Sequence, residues 1–563
     1  MEIRHLKYMQ IKKILSNKWL LVIAFLLAVI LRVWHLGSIP PGLTPDEASL
    51  GYNAYSILHT GRDEYGKFLP IIFKSFGDFK PGLYVYLAVP EIAVFGLSEF
   101  STRLPSVIAG IFSVFLIYLI VKKLFRDNDN LPVIAAFVAA LNPYLIYFSR
   151  GAWEANVSLA LTLAGIYLFL WAMEKNKYLI FSFFSFALTL ITYQGAKLST
   201  LIVLVLLITI YWKEFWKIGK QYLFVSTLIG IIISAPIILS FFNGQTQRLA
   251  IFSVFSYPRP ASEIQSYSDG YFELFHSNQL NYFRMVMTRW FNFYSGKFLI
   301  FEGDLENPVH TSPYQGVLLF ADLFMLPLGL FAIFKNKISK GSLFITLWLI
   351  LAPFSAAISR DQTNAVRSLN AAIPMVVVIS LGLFFFFTWV SKQKYTVLYN
   401  ITLSALYLFS LIYFLDAYFI HLPAHNSNFW RYGYRESVSY IAGIQSKYKN
   451  IVFEQSFNQP YIYFLFYGAK TNPEKYNPSK YQNQVNLIDS QYKGDVGFET
   501  GLDNIQFKQM DWSVLKNAHG TLVVAGPASI PPEILNNSKD FPIVDEIRYL
   551  NGRDTAFYMI EIK

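Results

Sequence analysis

Apolar stretches follow one another from residue 19 to residue 416, more of them than one soluble core could bury. A membrane-crossing helix needs about 20 mostly apolar residues. In hydrocarbon a span must satisfy its own backbone hydrogen bonds, which a helix does within one segment. The stretches fall near 19–35, 103–121, 131–147, 156–173, 178–192, 197–212, 222–242, 313–334, 342–357, 368–389 and 396–416. They predict an all-α polytopic membrane domain of about eleven transmembrane helices. Only 15% of the residues are charged, and 18% are aromatic. Soluble domains carry about 25% charged residues.

A further apolar stretch, 82–97, follows Lys80-Pro81, contains Pro90 and Glu91 and ends at Gly96. If it lies at the interface rather than crossing, thirteen Lys and Arg between Lys122 and Lys394 fall on one side. The short loops of the other side then hold only Arg150, Lys197, Arg360 and Arg367. Cytoplasmic loops carry the basic excess, so the N-terminus is expected inside and the C-terminus outside. Three segments then face outward: 37–99, 243–312 and 421–563. The reading gives a membrane domain over 1–420, with outer interfacial helices, and a separate extracytoplasmic domain over 421–563.

In that last segment Asn450–Glu454, Thr521–Ala525 and Ala556–Ile562 predict strands, and Tyr434–Lys449 predicts a helix, which makes a small α/β domain. The polar stretch 470–515 reads as loop. The basic start, Met1 to Lys18, precedes an apolar stretch without a small-residue cleavage pattern, so no cleavable signal peptide is expected. The net charge of +11 sits mainly in gaps between apolar stretches. It reports topology and predicts a bilayer partner, not nucleic acid. With no cysteine, no disulfide framework or Cys-based metal site can form. The inner (plasma) membrane is the expected location.

The first outward segment carries the densest chemistry. Pro45-Asp46-Glu47 opens a predicted short helix, Glu47 to Leu58. Acids there can cap the helix, or serve as a base. Phe76-Gly77-Asp78-Phe79-Lys80-Pro81-Gly82 then places a carboxylate and an ammonium just before the interfacial stretch. Lys80 at the head-group level can pair with a lipid phosphate or act as an interfacial anchor. The two clusters suit transfer of a sugar from a polyprenyl phosphate, which needs a base for the acceptor hydroxyl and a cation for the departing phosphate.

Pro45-Asp46-Glu47-Ala48, then Gly61 through Pro70, Phe79-Lys80-Pro81-Gly82-Leu83-Tyr84 and Arg103-Leu104-Pro105-Ser106-Val107-Ile108-Ala109-Gly110 resemble the bacterial protein-mannosyltransferase and aminoarabinose-transferase-like group of GT-C glycosyltransferases. The resemblance spans roughly the first 125 residues. It implies a GT-C fold, Asp46 as base with Glu47 beside it, and Lys80 as phosphate ligand with Asp78 nearby. Two departures stand out. The family's Lys-Pro-Pro is Lys80-Pro81-Gly82 here, and the acid that often precedes the Lys is displaced to Asp78. Glu154 stands where the family often has an Asp, although Arg150 and Glu154 could equally form an (i, i+4) pair.

Other candidate donor contacts are Arg150, Tyr193, Arg360 and Arg367, and, in the second outward segment, Arg248, Arg259, Arg284 and Arg289. There is no Trp-Trp-Asp, which disfavours an oligosaccharyltransferase, and no phosphate-loop motif or His-Glu-x-x-His, so neither metal nor cofactor is expected. The expected partners are a polyprenyl-phosphate-linked sugar and an acceptor protein, glycan or glycolipid. The alternative is a lipid or polysaccharide transporter without transferase activity, which would place ionisable residues at mid-membrane and show paired broken helices.

Overall fold

The computed structural model describes residues 18–76, 78–242, 253–256, 275–335, 337–455, 459–482 and 500–563. The chain divides into two compact units, one of Met1–Trp34 with Ser106–Tyr418 and one of His35–Pro105 with Phe419–Lys563.

The first unit is helical. Among the described residues six helices are long and apolar enough to cross a bilayer: Glu99–Leu124, Glu154–Ala172, Lys220–Ser240, Lys340–Ala357, Ala365–Val390 and Thr396–Asn426. Leu131–Leu141 and Pro143–Ser149 form a seventh candidate bent by 56°. The bend has a local cause. Pro143 has no N–H to continue the helical ladder, and the Asn142 side chain accepts from Leu145 N instead (3.0 Å). Shorter apolar helices are Trp19–Val33, Leu83–Phe95, Tyr178–Leu190 and Ala196–Ile210. The expected stretch 313–334 contains the helix Asp322–Lys335, with Pro327 inside it.

Tight helix contacts use missing side chains. A Cβ on Gly329 would lie 1.9 Å from Val378 O, and one on Gly382 would lie 2.1 Å from Met325 O. The Asp322–Lys335 and Ala372–Val390 helices thus touch backbone to backbone, as small residues allow in membranes. Phe224, Ile231, Ile232 and Leu239 point outward from Lys220–Phe242. Such an apolar outer face suits lipid, and the chain is a multi-pass membrane protein. Of the second predicted outward segment, 243–252 and 257–274 lie outside the described residues, and the rest contains the helix Asn278–Asn292.

The second unit joins two distant stretches. The first supplies the helix Pro45–Thr60, a hairpin of β1 (Ile72–Ser75) and β2 (Asp78–Pro81), and the helix Leu83–Phe95. The second supplies β3 (Asn450–Glu454), β4 (Thr500–Leu502), β5 (Ile505–Lys508), β6 (Thr521–Ala525), β7 (Ile543–Arg548) and β8 (Thr555–Ile562). These six form one sheet in the order β4-β5-β3-β6-β8-β7. β3 lies parallel to β5 and β6, and the other pairings are antiparallel. Central strands covered on both faces are apolar throughout, as Ile451, Val452 and Phe453 are.

The three predicted strands and the start of the Tyr434 helix match. Within 470–515, however, β4, β5 and the helix Trp512–Leu515 are ordered structure, while 483–499 lie outside the described residues. The helix Pro460–Thr471 was not read from sequence. It buries every residue from Pro460 to Ala469, and a Cβ on Gly51 of the Pro45–Thr60 helix would meet its Phe466 ring at 2.6 Å.

Candidate active site

The Pro45–Thr60 helix begins with a complete capping box. Glu47 N donates to Thr44 Oγ1 (3.2 Å), and Thr44 N donates to Glu47 Oε2 (3.0 Å). Successive helical residues point about 100° apart, so the two neighbouring acids part company. Glu47 turns inward and is 1% exposed. Asp46 turns outward, its side chain 53% exposed. The inward acid is held by Arg103, itself fully buried. Arg103 Nε donates to Glu47 Oε1 (3.0 Å), Nη1 donates to the carbonyls of Leu36 and Pro40 (both 3.0 Å), and Nη2 donates to Gly42 O. Burial of this kind is tolerated when the guanidinium donors are filled. Glu47 therefore caps and anchors, and Asp46 is the acid that faces outward.

Asp46 Oδ1 is ion-paired with Lys80 Nζ, from a residue 34 positions on. The hairpin explains the approach. β1 and β2 pair with Ser75 opposite Asp78 and Phe73 opposite Lys80. Phe76, just after β1, adopts φ 51°, the left-handed conformation that two-residue hairpins require. Gly77 lies outside the described residues. The buried Phe76 ring lies beneath Lys80 Nζ (5.6 Å) and meets Tyr461 edge-on (6.0 Å). Lys80 is thus held against an aromatic face with its side chain 13% exposed. The departure from Lys-Pro-Pro also has a reason. Gly82 N donates to Ile71 O (3.0 Å), which a proline could not do, and a Cβ on Gly82 would lie 2.2 Å from Phe73.

Behind this pair lies a carboxyl the sequence reading did not single out. Glu64, in the Gly61–Pro70 motif, is 1% exposed. Its Oε1 accepts from Asn53 Nδ2 (2.9 Å) and Ser49 Oγ (3.2 Å), and among the described residues its Oε2 has no hydrogen-bond partner. Ser49 and Asn53 follow Asp46 along one face of the helix. Burial pushes the Glu64 carboxyl up to about 8, against the two donated hydrogen bonds and the charge of Lys80. A proton is thus retained in the folded chain that the unfolded chain releases near 4.5. The sign follows: this contribution to stability is full below about pH 4.5, falls as pH rises, and is gone above about pH 8. Glu64→Gln, which copies the neutral form, is expected to raise the thermal midpoint at pH 8.5 and leave it unchanged at pH 4.5. Melting curves at the two pH values decide it, and equal shifts at both would refute it.

The remaining predicted residues lie in the first unit. Arg150 is fully buried at the end of the Pro143–Ser149 helix and donates to Leu31 O (2.9 Å) and Trp34 O (2.6 Å). Glu154 is half-buried in the first turn of the helix Glu154–Ala172, just after Trp153. The Tyr193 ring folds over Gly195. Arg360 and Arg367 share one carboxylate, Asp361, at 3.8 Å and 3.2 Å. Arg289 Nη2 donates to Arg360 O (2.8 Å), and Arg284 donates to Asn281 on the same helix. Arg248 and Arg259 lie outside the described residues. Asp46, Glu47, Asp78 and Lys80 thus belong to one unit and Glu154, Arg150, Tyr193, Arg360 and Arg367 to the other. Among the described residues no three His, Cys, Asp or Glu cluster as metal ligands would.

Comparison with known proteins follows this geometry. Residues 80–239 match the family described as dolichyl-phosphate-mannose-protein mannosyltransferases. ArnT from Cupriavidus metallidurans bound to undecaprenyl phosphate superposes with a TM-score of 0.52 at 11% identity, over 96% of this chain and 97% of that one. Its apo state gives 0.51 at the same identity and coverage. The chain shares the fold of ArnT. A family match over residues 80–239 and a fold shared with ArnT thus accompany the resemblance read from the sequence. A search of curated proteins by sequence found no match.

Proposed function

We propose that the chain is a membrane glycosyltransferase that moves a monosaccharide from a polyprenyl-phosphate carrier to an acceptor hydroxyl of a protein, glycan or glycolipid on the outer face. The observation that carries this reading is the ion pair of Asp46 with Lys80 at the mouth of a rigidly capped helix. The family match and the shared fold support the same reaction class. In the resting chain Lys80 neutralises Asp46. The donor phosphate competes for Lys80 and leaves Asp46 ionised beside the acceptor. The acceptor oxygen attacks the anomeric carbon, its proton passes to Asp46, and the anomeric C–O bond to phosphate breaks with its electron pair. The phosphate leaves against Lys80. Attack opposite the leaving group inverts the anomeric centre.

Lys80→Ala removes the compact cation without disturbing the buried Glu47–Arg103 anchor. It is expected to raise the KM for the lipid-linked donor by about 10- to 100-fold, the loss of one charge-assisted contact of roughly 1.5–3 kcal/mol. Transfer from radiolabelled polyprenyl-phosphate sugars, measured over donor concentration, checks this. An unchanged KM would remove Lys80 from the donor site, and a wild-type chain inactive with every donor in a panel of such sugars would favour the transporter reading.

A further inference from the structure

The loop 61–71 joins the Pro45–Thr60 helix to β1, and it sorts its side chains by charge. Both of its acids are hidden, Asp63 and Glu64 each being 1% exposed. Its two cations, Arg62 and Lys67, are exposed. So are Phe68 (64%), Leu69 and Ile71 (47% each). Hydrogen bonds fix this arrangement. Asp63 Oδ1 accepts from Tyr65 N (3.0 Å) and Lys67 N (2.8 Å), and Asp63 N donates to Lys67 O (3.0 Å). Arg62 Nη1 donates to Gly66 O (2.7 Å). Leu69 N donates to Gly61 O (3.0 Å), and Leu69 sits at φ 38°, a left-handed conformation that leucine rarely adopts. The Tyr86 hydroxyl donates to Pro70 O (2.8 Å), which fastens the loop to the apolar helix Leu83–Phe95. That helix itself exposes Leu87, Val94 and Phe95.

A loop turned toward water does the reverse: it shows its carboxylates and folds its rings away. Leaving Phe68, Leu69 and Ile71 outside forgoes the gain of burying them, and a main chain held this firmly does not let them collapse inward. Apolar side chains flanked by cations, with the acids withdrawn, match a bilayer surface that carries anionic head groups. There the apolar groups enter the acyl boundary while Arg and Lys stay with the phosphates. The Arg62 guanidinium lies over the Phe68 ring at 6.0 Å, so cation and apolar tip are stacked as such a layer requires. A protein partner is the poorer match, because protein interfaces are depleted in Lys. A multi-pass chain always has a bilayer at hand.

We propose that the loop 61–71 seats Phe68, Leu69 and Ile71 in an anionic bilayer surface, with Arg62 and Lys67 on the lipid phosphates. Seating the loop there also sets the height of the hairpin that follows it. β1 starts at Ile72, and Lys80 pairs opposite Phe73, two residues or about 7 Å along the strand from Ile71. Lys80 is thereby held within reach of head-group phosphates. The contact does not depend on the transfer reaction and is made even by a chain that transfers nothing.

The chain has no cysteine, so single cysteines can be labelled cleanly. Full-length Phe68→Cys and Ile71→Cys, with Val514→Cys (61% exposed, in the same unit) as the water-facing control, are spin-labelled. Each is reconstituted in vesicles of phosphatidylcholine, alone or mixed with phosphatidylglycerol. Collisions of the label with oxygen, which concentrates among acyl chains, are compared with collisions with a water-soluble nickel chelate. The expected result in mixed vesicles is that oxygen contact exceeds nickel contact at 68 and 71 and that the order is reversed at 514. Adding Arg62→Gln and Lys67→Gln is expected to raise nickel contact at 68 several-fold in mixed vesicles and to change little in phosphatidylcholine alone, because each basic side chain at an anionic surface weights insertion by about a factor of five. Positions 68 and 71 are exposed, so both Cys variants are expected to melt as wild type, and either one suffices for the measurement. Nickel contact at 68 and 71 as high as at 514 overturns the proposal. So does exclusion of both reagents, which would mean that protein covers the loop, and so does a double Gln variant that sits as deep as its parent in mixed vesicles.

Discussion

Asp46→Asn is expected to lower sugar transfer by about 10²- to 10⁴-fold, the range contributed by a positioned general base. The same variant is expected to bind lipid-linked donor as well as wild type or better, because Lys80 loses the carboxylate that competes for it. That combination separates a base from a structural acid. A residue holding the fold would lose binding and turnover together. Asp46 is half exposed, and its neighbour Glu47 carries the capping duty, so Asn at this position leaves the helix start intact. Single-turnover transfer with saturating donor reads the chemical step, and equilibrium donor binding reads the ground state. Turnover like wild type would exclude Asp46 as the base.

Arg103→Ala is the second large effect, and it acts on stability. The substitution deletes a guanidinium that holds Glu47 and three backbone carbonyls of the 36–42 segment, and it strands a carboxylate away from water. Removing one partner of a buried pair costs about 3–5 kcal/mol. Arg103→Lys is expected to recover little, because an ammonium cannot reach donor positions spread over a planar fork. Removing the stranded charge as well, with Glu47→Gln added to Arg103→Ala, is expected to restore part of the loss. Denaturation in detergent measures all three variants. A thermal midpoint for Arg103→Ala within about a degree of wild type would show that the 36–42 segment is held by other contacts.

The legibility of the sequence varied with the range of the interactions involved. The central strands β3, β6 and β8 could be read because each is a short apolar, β-branched run between turn residues. The helix start at Pro45 was plain for the same local reason, a Thr, a Pro and two acids in a row. Which of the two acids faces outward was not local. It depends on Arg103, which is 56 residues from Glu47. The helix Pro460–Thr471 escaped notice because burial on every side leaves no polar face, and periodicity has nothing to report. Glu64 sat inside a quoted motif, but its unusual protonation comes from burial away from water, which outweighs the bonds from Ser49 and Asn53 and which a linear reading does not show.

The second unit closes only when chain ends far apart in sequence come together: the Tyr463 hydroxyl donates to Leu43 O (2.9 Å), and Lys470 Nζ donates to Glu99 (2.8 Å). During synthesis the stretch His35–Pro105 is finished roughly 310 residues before Phe419 is added. At about 5–20 residues per second that is a wait of about 15–60 s. Throughout that interval the Pro45–Thr60 helix lacks its cover by Phe466, so a nascent protein stalled before residue 419 would be open to proteolysis at the very segment that carries Asp46.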